Sequence, residues 1–189
     1  MNMNGKVVNK YIPVTTANDA GKSNYGGAIE LLRYHDTLYF CDGFRSKIYS
    51  LEKDDIFIEY NFDFNELTIP EDVNINNYDF GNDFPYVSKP RFFVTSQYCV
   101  INFYVPNQQR AYYSFLNRTT GEIRSGSIHY KEDTLPFAPQ AQDNEHLVGL
   151  FTYGDLYGYN KAIATKIAEN VNSDQLDDDT SILMFYSLK

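Results

Sequence analysis

The chain has no tryptophan, only two cysteines, and no apolar run long enough to cross a membrane. A helical span needs about 18–20 consecutive apolar residues, and no window approaches that, which excludes one. The opening MNMNGKVVNKYIPV also lacks the apolar core of a signal peptide. Basic residues are in deficit: 16 Lys and Arg stand against 25 Asp and Glu, a net charge of −9. They are scattered rather than clustered, so there is no electrostatic footprint for a phosphate backbone, and nucleic acid is not an expected partner.

Signatures of catalysis are scarce as well. Gly-Ser occurs only in Ser125-Gly126-Ser127, without the second glycine of a nucleophile elbow. Gly26-Gly27 opens a strand and has neither the Lys-Ser/Thr nor the helix of a phosphate-binding loop. His35, His129 and His146 are far apart, and none has a second His or Cys at metal-ligand spacing. The acidic run Asp174, Asp177, Asp178 and Asp179 offers oxygens to Ca²⁺ but lacks the turn glycine and closing glutamate of a calcium loop, so it reads as a solvated charge run. No cofactor is expected. Cys41 and Cys99 fall at similar places in two predicted strands, where small buried thiols are common; a disulfide or metal role is the alternative, and the redox compartment stays open.

What the chain does have is rings. Its 17 Tyr and 14 Phe supply much of a 43% hydrophobic content, a composition that favours twisted sheets. They are arranged in a repeat. Residues 28–62, AIELLRYHDTLYFCDGFRSKIYSLEKDDIFIEYNF, read as four antiparallel strands, including TLYFC (37–41), KIYSL (47–51) and DIFIEYNF (55–62), with Asp42-Gly43-Phe44-Arg45 and Glu52-Lys53-Asp54 as turns. Residues 91–129 repeat the order as FFVTS (92–96), YCVINFYV (98–105), QRAYYSFL (109–116) and EIRSGSI (122–128). In TLYFC both faces are apolar, as in a sheet covered on both sides.

A third copy, 137–189, pairs HLVGLFTY (146–153) with DLYGY (155–159) across Gly154. KAIATKIAENV (161–171) then follows as an amphipathic helix, and SILMFYSLK (181–189) as a strand apolar on both faces. Residues 5–14 read as a further strand, 15–27 as a turn-rich loop, and 63–89 as a long acidic connection with one helical turn near Pro70-Glu71-Asp72. The fold class expected is all-β and β-propeller-like: one domain over 1–189, about three four-stranded antiparallel blades, with one short helix near the C-terminus.

The segments DTLYFCDGFRSKIYSLEKDDIFIEYNFDF with ELTIPED, FLNRTTGEIRSGSI and NSDQLDDDTSILMFYSLK resemble an uncharacterised family of six-bladed β-propeller proteins of gut anaerobes, mostly secreted or lipid-anchored. The resemblance covers residues 28–189 and implies a periplasmic, cell-surface or secreted location. In length the chain matches the C-terminal half of such a ring. Three blades do not close a ring, which leaves a truncated form, a homodimer completing it three-plus-three, or an open arc.

In propellers the turns between second and third strands and the connections between blades line the central pocket. The candidate binding residues are therefore Asp42, Arg45, Asn107, Gln108, Tyr153 and Asp155; the plainer alternative is that they supply only turn chemistry. The expected function is a non-catalytic binding or scaffold module for a glycan, peptide or protein partner. Tyr78, Phe80, Phe84 and Tyr86 would be its stacking rings, or else a satellite core under the loop. The alternative is a carbohydrate-active hydrolase or lyase using acidic residues such as Asp42 and Asp155.

Overall fold

The computed structural model describes residues 30–41, 46–53, 55–70, 73, 83–127, 136–170 and 176–188. The expected strand at 5–14, the loop at 15–27 and the turn at 42–45 lie outside them, as do Glu71 and Asp72 of the expected helical turn. The chain divides into two compact units: residues 1–91 with 102–111, and residues 92–101 with 112–189. Among the described residues the strands form three antiparallel sheets. Among the described residues no helix is long and apolar enough to cross a membrane.

In the first unit, β1 (Glu30–Tyr34), β2 (Thr37–Cys41), β3 (Lys47–Glu52) and β4 (Asp55–Asn61) form a meander in sequence order. The turns after β1 and β3 are tight because His35 (φ 52°) and Lys53 (φ 57°) take left-handed backbone conformations, which reverse a twisted strand pair in few residues. Register then aligns Leu31, Phe40, Tyr49 and Ile58 in one apolar row across all four strands, with Phe40 and Tyr49 stacked at 5.2 Å. The opposite face carries Tyr39, Cys41, Ile48 and Ser50, all buried. Glu59 is the extra residue of a bulge in β4, and its carboxylate accepts the buried Ser50 hydroxyl at 3.3 Å.

The acidic connection after β4 is anchored by rings. Tyr60, Phe62, Phe64 and Phe103 follow one another at 6.1, 6.2 and 4.9 Å, and a 3-10 turn spans Asn65–Leu67. The Val87 N–H donates to the Leu67 carbonyl at 2.9 Å, and the Asn107 N–H to the Phe84 carbonyl at 3.3 Å. Phe84 is fully buried and meets Tyr86 edge-on at 5.4 Å. Of the two readings of this ring, Phe84 takes that of a core under the connection rather than an exposed stacking ring. Tyr86 is half-buried, and Tyr78 and Phe80 lie outside the described residues.

The second sheet has the order β5 (Ser88–Val94), β6 (Tyr98–Val105), β7 (Arg110–Asn117), β8 (Ile123–Gly126). Consecutive burial of Cys99, Val100 and Ile101 shows that β6 is covered on both faces, as its unbroken apolar run predicts. Cys41 and Cys99 are both buried and neither is in a disulfide. Gly121 closes the β7–β8 loop at φ 74°, while the Asn117 side chain accepts the N–H groups of Thr119 and Thr120.

The third sheet lies in the second unit and differs from expectation. Its order is β11-β10-β9, with β9 Ala141–Asp143, β10 His146–Thr152 and β11 Ser181–Ser187, so among the described residues it has three strands where four were expected. Residues 155–159 are not a strand: α1 (Tyr153–Tyr159) follows β10 directly, then α2 (Lys161–Asn170), so this part of the chain has two helices among the described residues where one was expected. The core of this unit gathers Phe93, Val100, Tyr113 and Leu147, with Phe137 and Tyr186 packed against them. The ring of Phe137 lies 5.1 Å from Tyr113, 5.8 Å from Phe115 and 5.0 Å from Tyr186. Tyr186 donates its hydroxyl to the Pro136 carbonyl at 2.6 Å, and Tyr113 to the Phe137 carbonyl at 3.3 Å, so the same rings that pack the segment also satisfy its backbone. β11 alternates: Ile182, Met184 and Tyr186 face inward, whereas Leu183 and Phe185 are 59% and 57% exposed. Burial on both faces, expected from SILMFYS, is thus corrected to burial on one.

Removing a fully buried ring leaves a cavity. Phe84→Ala is expected to destabilise the protein by ~3–5 kcal/mol in urea unfolding, and Tyr86→Ala by clearly less; equal losses would contradict the core placement of Phe84.

Candidate functional site

Two of the predicted residues, Tyr153 and Asp155, come together at the start of α1. Nothing in YGDLYGY favours a helix intrinsically, since Gly and Tyr are weak helix formers. Three backbone contacts impose it. The Thr152 hydroxyl accepts the Asp155 N–H at 3.1 Å as an N-cap, Tyr153 N–H donates to the Thr180 carbonyl at 2.9 Å, and Gly154 N–H donates to the Asp178 carbonyl at 3.0 Å. A Cβ on Gly154 would sit 3.2 Å from that carbonyl oxygen, so a side chain here would require Asp178 to give by a few tenths of an ångström. The carboxylate of Asp155 lies in the first turn, where the helix dipole favours it.

One side of α1 is core and the other is not. Leu156 is fully buried with Phe151 and Met184, and Ile167 of α2 packs against them. Asn160 joins the helices by donating its N–H to Leu156 at 2.7 Å and accepting the Ile163 N–H on its side chain at 3.2 Å. On the outer side, Tyr157 and Tyr159 are 44% and 64% exposed. The rings of Tyr153 and Tyr157 are 6.4 Å apart, and the Lys161 ammonium sits 5.3 Å from the centre of the Tyr157 ring. A hydrogen bond to Tyr157, and the charge of that phenol when ionised, hold Lys161 above the ordinary lysine value, so it stays cationic through neutral pH. Tyr157, Lys161 and the half-buried Tyr153 thus form a strip of two rings and one cation, whereas Tyr159 and Asp155, each two residues from Tyr157, point away from it around the helix.

Asn107 and Gln108 belong to the first unit, exposed on a 3-10 turn over Pro106–Gln108 that Gln109 closes at φ 51°. Asp42 and Arg45 are outside the described residues. Asp177, Asp178 and Asp179 are exposed, with Asp177 bonded to the Thr180 hydroxyl at 2.7 Å, and no three-residue metal-ligating cluster occurs among the described residues. His146 lies edge-on to Phe185 at 6.4 Å. Sequence reading missed Tyr157, Tyr159 and Lys161. The signal was the four-residue spacing of Tyr153, Tyr157 and Lys161, visible only once 153–159 is treated as a helix.

Thr152→Ala removes the α1 cap and is expected to cost ~0.5–2 kcal/mol in urea unfolding, with Thr152→Ser close to wild type; an alanine variant as stable as the parent would contradict the cap.

No protein-family model and no curated protein matches the chain. Its fold is similar to a crystal structure from Bacteroides fragilis NCTC 9343 that bears the name "Putative exported protein", with a TM-score of 0.62 and 16% sequence identity. The similarity covers 82% of this chain and 48% of that one, so the chain spans about half the length of the protein it matches.

Proposed function

We propose that this protein is a non-catalytic binding or scaffold module whose sheets are propeller-type blades, and that the outer side of α1 takes a glycan. One observation carries the reading: the exposed ring of Tyr157 has the Lys161 ammonium 5.3 Å from its centre and the Tyr153 ring 6.4 Å away. Flat exposed rings stack on the apolar faces of sugars, and the flanking ammonium hydrogen-bonds to hydroxyls, which gives affinity without any bond being broken. Three antiparallel sheets of three or four strands among the described residues support the blade reading. The exported name of the structural neighbour supports a secreted or periplasmic location, where glycans are abundant.

The test is a glycan array followed by calorimetry on the best binder. Tyr157→Ala is expected to weaken binding about tenfold or more, the equivalent of ~1.4 kcal/mol, while the melting temperature holds because the ring is exposed. Binding that survives this variant would contradict the assignment. Release of sugar products that stops in Asp155→Asn would instead make the protein a carbohydrate-active enzyme.

A further inference from the structure

The two free ends of the sheets in the second unit are treated differently by the sequence. β5 is an edge strand, and where it ends, side chains of the β9–β10 hairpin occupy its backbone: the Gln142 amide takes both the N–H and the carbonyl of Val94, and the Glu145 carboxylate takes the N–H and hydroxyl of Ser96 at 2.9 Å. β11 is also an edge, paired among the described strands with β10 alone. Its seven residues, SILMFYS, contain no charge, proline or glycine, and its register with β10 runs from Ser181 to Ser187 without a bulge. Among the described residues none of the devices that blunt an edge strand is present.

The same seven residues are self-complementary. In an antiparallel pairing centred on Met184, Leu183 meets the partner's Phe185 on the exposed face, Ile182 meets the partner's Tyr186 on the inner face, and the two ends match serine with serine. Leu183 and Phe185 are exposed, and they sit opposite Leu150 and Val148 of β10, so the apolar surface continues into the sheet behind. We propose that β11 is a homotypic docking edge, at which a second copy of this chain adds its own β11 about a two-fold axis to make one continuous six-stranded sheet. Strand pairing without charged groups is compatible with two chains of net charge −9, because the repelling charges lie outside the seam. An interface of two short strands is at the small end of the range, so the dimer is concentration-dependent.

The register makes the test specific. Light scattering after size exclusion of the full chain is expected to give a mass rising towards two chains with concentration. Leu183→Lys with Phe185→Lys places lysine against lysine across the seam and is expected to be monomeric at every concentration, with an unchanged circular dichroism spectrum. Leu183→Lys with Phe185→Glu places lysine against glutamate and is expected to restore the dimer. The proposal is overturned if the parent chain stays monomeric up to its solubility limit, if the double lysine variant still dimerises, or if the lysine–glutamate variant dimerises no better than the double lysine one.

Discussion

The second unit depends on a bond between one side chain and one peptide. Val94 ends the edge strand β5 and is fully buried, so no water satisfies its backbone, and a buried peptide left unpaired costs ~1–3 kcal/mol per group. Gln142 resolves this by presenting its amide as a substitute strand: its oxygen accepts the Val94 N–H at 2.8 Å and its nitrogen donates to the Val94 carbonyl and, at 2.6 Å, to Asn144. Through this contact the β9–β10 hairpin is fixed against the end of β5, and Leu147 of β10 reaches the cluster of Phe93, Val100 and Tyr113. The polar bond sets where the hairpin sits, and the apolar cluster supplies most of the free energy.

Aromatic surface does the rest, in two ways. Where a strand is covered on both sides, as β6 is, rings and aliphatic side chains are buried without regard to alternation. Where only one side is covered, alternation reappears, as in β11, with Met184 inside and Leu183 outside. Phe137 brings three rings to one point and holds a stretch of irregular chain whose carbonyls are capped by Tyr113 and Tyr186. A ring-rich, tryptophan-free chain thus uses tyrosine both as packing and as hydrogen-bond donor, a dual role that phenylalanine lacks.

Legibility in the sequence follows from how local each cause is. TLYFC and YCVINFYV are strands over the residues expected, because strong β-formers are bounded by turn residues and need nothing distant. β9 was not legible: Ala141-Gln142-Asp143 has no strand pattern, and it is a strand only because β10 and Val94 take up its hydrogen bonds. The tyrosines of DLYGY (155–159) suit a strand, whereas Thr152, Thr180 and Asp178 wind 153–159 into a helix from outside the segment. The same preference hid the site: Tyr153 and Asp155 read as turn residues, while Tyr157 and Lys161 join Tyr153 only through helical spacing. Nothing in SILMFYS says which face is covered, since that depends on what the rest of the chain packs against it.

The most direct measurement is amide hydrogen exchange at Val94, followed by NMR in the parent chain and in Gln142→Leu. The Val94 amide is expected to be protected in the parent and to lose about five- to tenfold of that protection in the variant, as loss of one hydrogen bond of ~1–1.5 kcal/mol implies, while the amides of β6 keep theirs. A Val94 amide that exchanges in the parent as fast as those of the exposed strand β8 would contradict the account.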